Sequence, residues 1–223
     1  VCNQRMKFGA LLKSILERGI GFDYFATGHY ARIARDPSGD RVLLRAGRDR
    51  RKDQSYFLSR LTQEQLKKSL FPLGDLLKSE VKRLATDRGL LPFAAKPESQ
   101  DFIEAESYAV LFGKEACRPG EIVGRDGKIR GQHEGIFKYT VGQRKGLGIG
   151  GSPEPLYVLA IDPESNRIVV GTRDEGLSEE FFVHTMNWIS LEKLTGERLC
   201  EVKVRAAGPP FSVTPGQAAV FYD

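Results

Sequence analysis

The sequence has few cysteines, no long apolar run and no secretory leader, and each absence excludes a class of protein. Its three cysteines, Cys2, Cys117 and Cys200, are far apart and odd in number. They indicate neither a disulfide framework nor a CxxC zinc site, and no other metal-ligand set is apparent. No stretch of about 18 apolar residues is present to span a membrane, and the N-terminus lacks the pattern of a signal peptide. We therefore expect a cytoplasmic protein without a membrane partner.

The chain is otherwise ordinary for a globular protein, with 223 residues, of which 40% are hydrophobic and 28% charged. This length suits one large domain or two to three small ones. The net charge of +5 favours polyanionic partners only weakly, but the cations are clustered. Residues 41–52 hold six of them against one aspartate: Arg41, Arg45, Arg48, Arg50, Arg51 and Lys52. The cluster fits a polyanion-binding surface and a solvated loop equally well.

The first half of the chain alternates helical and strand patterns. Residues 4–18 place Met6, Leu11, Leu12, Ile15 and Leu16 at helical spacing, and Gly19 follows as a helix end. A short strand at 24–26 then leads into a tight turn at 27–29, and another strand is predicted at 42–46. Thr62 is predicted to cap the helix QEQLKKSL, and a second amphipathic helix spans 78–89.

The second half changes to glycine-rich turns between short β-branched strands. LYVLAI and RIVVGT around residues 162–166 are typical of a β-hairpin. Beyond Glu175, the segments HTMNWISL, CEVKVRAA and AAVFYD alternate like strands of an antiparallel sheet or small barrel. The pattern therefore predicts an α/β part followed by two β-rich modules.

Cys2 stands immediately before the first predicted helix. A thiol at a helix N-terminus feels the positive end of the helix dipole, and Arg5 lies one turn away. Both effects favour the reactive thiolate. The alternative is a buried cysteine that serves as a small apolar side chain.

Two further segments carry chemistry in the first half. Gly28 permits close approach of the backbone to a ligand, and His29 could contact a phosphate or a base, although a loop histidine with satisfied hydrogen bonds is the simpler interpretation. Residues 52–56, KDQSY, supply a cation, an anion, an amide, a hydroxyl and an aromatic ring. That density suits recognition of a flipped base or a phosphate backbone. A polar helix start capped by Asp53 or Ser55 explains it equally well.

The most unusual stretch is GQRKGLGIGG, at residues 142–151, with five glycines in ten residues. Such a stretch frees the backbone to approach a partner, and Arg144 and Lys145 indicate a polyanion. Its spacing is not that of a P-loop. The alternative is a flexible turn between domains.

These segments resemble, in order along the chain, motifs of the tRNA-specific 2-thiouridylases, a family of ATP-pyrophosphatase-type sulfurtransferases. The matching segments are CNQRMKFGALL, DYFATGHYAR, KDQSYFLSRL, LFPLGDLLKSEVK, Glu98-Ser99-Gln100, GEIVGRDG, HEGIFKYTVGQRKGLGIGG and VTPGQAAVFYD. So many collinear matches make chance a negligible explanation.

The resemblance implies a fold class of α/β plus β. Part of a PP-loop domain (adenine nucleotide alpha hydrolase-like) would occupy residues 1–112, a small central β-rich domain 113–173, and an incomplete C-terminal β-barrel 174–223. It also implies thiolation of the 2-position of the wobble uridine in tRNA. In that reaction ATP, accompanied by Mg²⁺, adenylates the carbonyl oxygen, and a cysteine-bound sulfur displaces it. The implied partners are tRNA and a sulfur donor or sulfur-carrier protein.

The resemblance also assigns roles to single residues. Cys2 matches the family's first active cysteine and Gly28 a residue of the nucleotide site. In the barrel, a paired Arg-Tyr contact to tRNA matches only at Arg205, since Ala206 replaces the tyrosine. Arg144 and Lys145 are predicted to contact RNA from the glycine-rich stretch. The other residues that match tRNA contacts are His29, Lys52, Asp53, Gln54 and Gln217.

Two departures from the family pattern change what we expect. The Ser-Gly-Gly-Val-Asp-Ser loop that binds the pyrophosphate of ATP is absent from the sequence, so we expect the chain as it stands not to adenylate tRNA. Many family members also carry a second cysteine shortly after the Ser-Gln pair, whereas residues 98–104 here read ESQDFIE. Cys117 and Cys200 lie outside that motif.

Three accounts of the missing second cysteine stay open. Sulfur arrives as free sulfide, or on an iron–sulfur cluster held by Cys2 and cysteines further upstream, or the protein is a paralogue that binds tRNA without thiolating it. Another PP-loop enzyme, such as an amide-forming synthetase, fits the α/β part but gives no reason for the two β modules.

Overall fold

The computed structural model describes residues 2–37, 39, 41–90, 118–204 and 218–222, with only the backbone of Cys2. The chain divides into two compact units. The first combines Val1–Pro97, Val183–Ala207 and Ala219–Asp223, and the second combines Glu98–Phe182 and Gly208–Ala218. Among the described residues, no helix is long and apolar enough to cross a membrane. The predicted domain limits after residues 112 and 173 stay a prediction.

The first unit begins with one continuous helical stretch. A π-helical segment, Cys2–Leu11, passes directly into α1, Leu12–Glu17. Gly19, with φ +75°, follows the helix end as predicted. The short strand β1, Phe25–Ala26, comes next and confirms the strand expected at this point.

An antiparallel hairpin follows, formed by β2, Ala31–Arg35, and β3, Val42–Ala46. Its register places Ala31 opposite Ala46, and the second strand confirms the one predicted at 42–46. The short helix α2, Ser55–Leu58, brings Leu58 into the same apolar cluster as Ala31 and Val42.

Thr62 caps α3, Gln63–Lys67, as predicted. The Thr62 hydroxyl accepts from the Gln65 backbone N–H at 3.3 Å, and Gln65 Oε1 accepts from the Thr62 N–H at 3.0 Å. The helix ends earlier than expected because Ser69–Leu70 form strand β4, which pairs parallel to β1. Helix α4, Lys78–Asp87, ends before Gly89, whose φ is +71°.

An apolar cluster among the described residues holds the first unit together: Phe8, Ala31, Val42, Leu58, Leu61, Leu66 and Phe71. Burial of each large side chain contributes roughly 1.5–3 kcal/mol. The position of Phe8 corrects the predicted helical stripe, because Met6, Leu11 and Leu16 are exposed whereas Phe8 and Leu12 are buried. Bonding in a π-helix runs from i to i+5, so the side chains are rotated relative to the α-helical pattern that the prediction assumed.

The described residues of the second unit form a four-stranded mixed sheet. Its strands are β5, Gly120–Gly124; β6, Ile129–His133; β7, Tyr157–Asp162; and β8, Arg167–Gly171. They lie in the order β6-β5-β8-β7. Two antiparallel hairpins meet in a parallel pairing of β5 with β8, where Ile122 faces Ile168. The β7–β8 hairpin confirms the one predicted around 162–166, and Asn166 adopts φ +53° in its turn.

The C-terminal part of the chain returns to the first unit. Strands β9, Glu201–Lys203, and β10, Val220–Tyr222, pair antiparallel, which confirms two of the three strands predicted beyond Glu175. The strand predicted in HTMNWISL is wrong. Its carbonyl groups accept from side chains instead: Arg41 donates to the oxygens of Trp188 and Ile189 at 2.8 and 3.0 Å. No sheet among the described residues closes into the predicted barrel.

Candidate active site and RNA-contact surface

The residues after β1 lie at the carboxyl edge of the parallel pair, where α/β folds bind ligands. The Thr27 N–H donates to the Leu70 oxygen at 3.0 Å and extends the pairing by one step. Gly28 is exposed, and a Cβ at this position would meet only Cδ1 of Leu73, at an ordinary 3.6 Å. No contact within the described chain requires a glycine here. The space above its backbone fits the close approach of a ligand.

His29 follows at the same edge but points into the protein. Its ring is 8% exposed and lies beside the rings of Phe8 and Phe71, at centroid distances of 6.1 and 5.8 Å. Burial, assisted by the positive charge of Lys7, lowers the pKa of His29 from 6.5 to about 4. The imidazole is therefore neutral at physiological pH, and its predicted contact with tRNA stays a prediction.

The π-helical segment that begins at Cys2 is fixed to the core by its neighbours. Gln65 Nε2 donates to the carbonyl oxygens of Gln4 and Phe8, at 3.3 and 2.8 Å. A Cβ on Gly9 would lie 2.8 Å from the Gln4 oxygen, so this wide turn requires a glycine. Cys2 thus stands, as predicted, at the start of a helical segment. The anchoring role of Gln65 was not predicted, because the sequence presents that residue only as part of a helix cap.

The basic loop, defined here as residues 47–54, is held on one side by α4. Asp49 Oδ2 accepts from the Lys78 backbone N–H at 3.0 Å, and this bond is the main cause that lowers the pKa of Asp49. Arg48 forms an ion pair with Glu80 at 3.2 Å, which is half-exposed and contributes less than about 1 kcal/mol. Arg50 and Arg51 remain exposed at the tip of the loop.

Asp53 and Gln54 close the other side of the basic loop from within the protein. The Asp53 side chain is 4% exposed, and its Oδ1 accepts from the N–H groups of Gly47 and Ser55 at 2.9 and 3.1 Å. Gln54 Oε1 accepts from the Tyr30 N–H at 3.0 Å, and the Gln54 N–H donates to the Tyr30 oxygen at 2.9 Å. The acceptor atoms of both residues are therefore engaged internally, and their contact to tRNA stays a prediction. Lys52 is half-buried between them and the tip.

The glycine-rich loop at residues 142–151 belongs to the second unit and is anchored there. Leu147 is buried in the apolar cluster of that unit, and Ile149 packs against the same cluster. Gln143 Oε1 accepts from the Thr140 N–H at 3.0 Å and its Nε2 donates to the Lys145 oxygen at 3.0 Å. Arg144 and Lys145 are exposed between these anchors. The stretch is thus a shaped, cationic loop rather than an unanchored turn.

The chain matches the models of two protein domains. The tRNA methyl transferase HUP domain matches residues 1–104, and the tRNA methyl transferase PRC-barrel domain matches residues 111–172. The tRNA-specific 2-thiouridylase MnmA of a Synechococcus species is 46% identical over 99% of this chain and 66% of its own length. The MnmA proteins of Trichormus variabilis and Acidobacterium capsulatum are 43% and 44% identical over 100% of this chain, and over 69% and 68% of their own lengths.

The chain belongs to the tRNA-specific 2-thiouridylase family. This confirms the resemblance found in the sequence motifs. The chain spans about two thirds of the length of the 2-thiouridylases that it matches.

Arg205 and Gln217, which were predicted from the 2-thiouridylase motifs, lie outside the described residues, as do Cys117 and the run 98–104. Cys200 is described, and it is a half-buried free thiol just before β9. Within the described ranges, no group of three or more His, Cys, Asp or Glu residues is placed to hold a metal ion. The structure brings Gly28, His29 and the start of the Cys2 segment into one unit with the basic loop. Arg144 and Lys145 belong to the second unit.

Proposed function

We propose that this chain provides the larger part of a tRNA-uridine 2-sulfurtransferase, which places sulfur on C2 of the wobble uridine. The observation that carries the proposal is the identity of 42–46% over essentially the whole chain with proteins named tRNA-specific 2-thiouridylase. The domain models mention methyl transfer in their names. We favour thiolation because the relatives align along both domains and because Cys2 stands at a helical start.

The proposed reaction has two steps. The O2 atom of uridine attacks the α-phosphorus of ATP, pyrophosphate leaves, and Mg²⁺ accompanies the nucleotide. A sulfur nucleophile then attacks C2, and AMP leaves with the original oxygen. Hydrosulfide completes this step without a co-reactant. A persulfide on Cys2 requires an additional thiol, which releases the product by forming a disulfide with the inner sulfur.

Each element of the site has a part in this scheme. The open space over Gly28 would admit the nucleotide close to the backbone. The anchored π-helical segment would hold Cys2 in place, since Gln65 and Phe8 fix its second turn. His29 would act in its neutral form, as a hydrogen-bonding partner for tRNA.

The cationic surfaces would bind tRNA through its phosphates. Lys52 and the exposed tip of the basic loop serve the first unit, and Arg144 with Lys145 serve the second. By family resemblance, Gln54, Arg205 and Gln217 add contacts. The other proposed partner is a sulfur donor or a sulfur-carrier protein. We expect the protein to act in the cytoplasm.

A thiolation assay on unmodified tRNA with ATP and sulfide tests the proposal. It compares the chain alone with a version extended at its N-terminus by a segment that carries the Ser-Gly-Gly-Val-Asp-Ser loop. Sulfur incorporation by the extended protein should disappear in Cys2→Ser and persist in Cys200→Ser, which removes a thiol elsewhere. Equal activity of Cys2→Ser and the wild type would reject Cys2 as the reactive thiol.

The competing function is a tRNA-binding paralogue without catalysis, favoured by the absence of a cysteine from residues 98–104. It predicts tRNA binding by the extended protein with no thiolation from any sulfur donor. An iron–sulfur cluster on Cys2 is a further source of sulfur to test. Anaerobic purification and an absorption spectrum decide this point, because a colourless, iron-free but active enzyme would exclude the cluster.

A further inference from the structure

A directed chain of hydrogen bonds links the C-terminal strand pair to the basic loop. Ser55 Oγ donates to Asp53 Oδ2 at 2.8 Å and lies 3.0 Å from the hydroxyl of Tyr222 in β10. A serine hydroxyl has one proton. Because that proton is directed to the carboxylate, the Tyr222 hydroxyl must donate to Ser55. Burial raises the pKa of Tyr222 and keeps this donor protonated.

Lys203 in β9 joins the same cluster from the neighbouring strand. Its ammonium lies 3.7 Å from Asp53 Oδ2 and 5.1 Å from the centre of the Tyr222 ring. Asp53 is thus a buried carboxylate satisfied by two backbone N–H groups, one hydroxyl and one ammonium. A buried charge is tolerated only when its environment compensates it so fully. The strand pair β9–β10 supplies part of that compensation.

Asp53 also closes the base of the basic loop. Its Oδ1 accepts from Gly47, so one carboxylate fixes both ends of the short segment 48–52. Gly47 fits tightly, since a Cβ there would lie 2.7 Å from the Tyr30 oxygen. Asp53 therefore helps to set the positions of Arg50, Arg51 and Lys52, together with the bond of Asp49 to Lys78.

We infer that Tyr222 and Lys203 are positioning residues for the RNA-contacting loop, and that they act through Ser55 and Asp53. Asp53 itself orients the loop rather than supplying a direct contact to RNA. The inference rests on the proposed function. If the inference holds, the C-terminal strand pair influences the affinity for tRNA because it packs against the rest of the first unit.

The test measures the affinity of the full chain for unmodified tRNA, together with its salt dependence, for wild type, Tyr222→Phe and Asp53→Asn. Tyr222→Phe keeps the charge and the ring but removes the donor to Ser55. We expect its Kd to rise about threefold, as for loss of one bond in a network. Asp53→Asn removes one negative charge, which by itself would tighten RNA binding. We expect it instead to weaken binding by about tenfold, because the amide NH2 group that replaces Oδ2 would face the Ser55 hydroxyl and the Lys203 ammonium. The side chain then no longer stays in the orientation that holds the loop at Gly47.

Asn187→Ala is the matched control. Asn187 Nδ2 ties the same C-terminal part of the chain to the first unit, through the oxygens of Ser59 and Leu61 at 2.7 and 3.0 Å, and it has no bond to the cluster. Its Kd should stay within about twofold of wild type, since only the docking of the chain is altered. Amide hydrogen exchange at Gly47 and Ser55 should quicken in Tyr222→Phe and remain unchanged in Asn187→Ala.

Two results would overturn the inference. In the first, Tyr222→Phe changes neither the affinity for tRNA nor the amide exchange at Gly47 and Ser55. In the second, Tyr222→Phe and Asn187→Ala weaken tRNA binding equally, in proportion to their loss of thermal stability. Failure of the proposed function looks different. In that case wild-type protein does not prefer tRNA to a DNA duplex of equal length, while the exchange measurement still reports on the cluster.

Discussion

The hydroxyl of Thr27 lies 2.7 Å from Nδ1 of His29, at the edge where strand β1 ends. The pair turns a residue at the end of β1 inward, so that its ring lies beside the rings of Phe8 and Phe71. The histidine that the family motif predicts to contact tRNA is thereby also part of the core that holds the Cys2 segment.

His29 should make the first unit sensitive to acid. Its pKa is about 4 in the folded protein and 6.5 when exposed, so between these values the unfolded chain binds more protons than the folded one. The contribution of neutral His29 to the free energy of unfolding is complete above pH 6.5 and is lost as the pH falls toward 4. Thermal melts from pH 7 to 4.5 should show this decline. In His29→Gln the decline should be flatter, and identical slopes in both proteins would contradict the assignment.

Phe8→Ala should strongly destabilise the first unit, by about 3–5 kcal/mol, because it removes the centre of the apolar cluster. Met6→Ala, two residues earlier and 59% exposed, should change stability by less than about 0.5 kcal/mol. Urea unfolding followed by circular dichroism measures both. Comparable losses would mean that the predicted α-helical stripe, rather than the π-helical one, faces the core.

Gly28→Ala and Gly74→Ala separate a ligand-facing glycine from a packing glycine. The methyl group at 28 meets only Leu73 at 3.6 Å, whereas one at 74 would be pressed into the carbonyl group of Ala31. We expect wild-type stability for Gly28→Ala but weaker ATP binding by the extended protein. Gly74→Ala should lose about 1–3 kcal/mol. Calorimetric titration with ATP and thermal melts give the two readouts, and unchanged ATP affinity in Gly28→Ala would remove this residue from the nucleotide site.

The double variant Arg144→Ala/Lys145→Ala should weaken tRNA binding and reduce the slope of log Kd against log salt concentration by about 1–2. Stability should be unaffected, because both side chains are exposed while Leu147 and Ile149 anchor the loop. Lys128→Ala/Arg173→Ala removes the same charge from exposed positions of the same unit. If both double variants lose affinity equally, net charge rather than the glycine-rich loop accounts for the binding.

Local signals in the sequence predicted the elements whose stability is local. Thr62 marks a helix start because its side chain can cap the helix, and the β7–β8 hairpin follows from a turn between two β-branched runs. The sequence also singled out Gly28 after a strand, and its place in a nucleotide site stays a prediction.

Features that depend on distant partners were not predictable in this way. The burial of Asp53 involves Lys203 and Tyr222, which lie far along the chain, so KDQSY fitted a recognition segment and a polar helix start equally well. The π-helical winding of the first segment depends on Gln65, and HTMNWISL alternates like a strand although side chains of the first unit satisfy its carbonyl groups. In each case a tertiary contact replaced the local preference.

The parallel pairing of β5 with β8 has a consequence for the kinetics of folding. Each hairpin of the second unit closes over a short loop and forms within microseconds, but Glu121 and Arg167 are 46 positions apart. The two hairpins must therefore pair across a long loop, and this pairing limits the folding rate of the second unit. Until they meet, each hairpin exposes an unpaired edge, so the newly made chain is most open to aggregation in this interval.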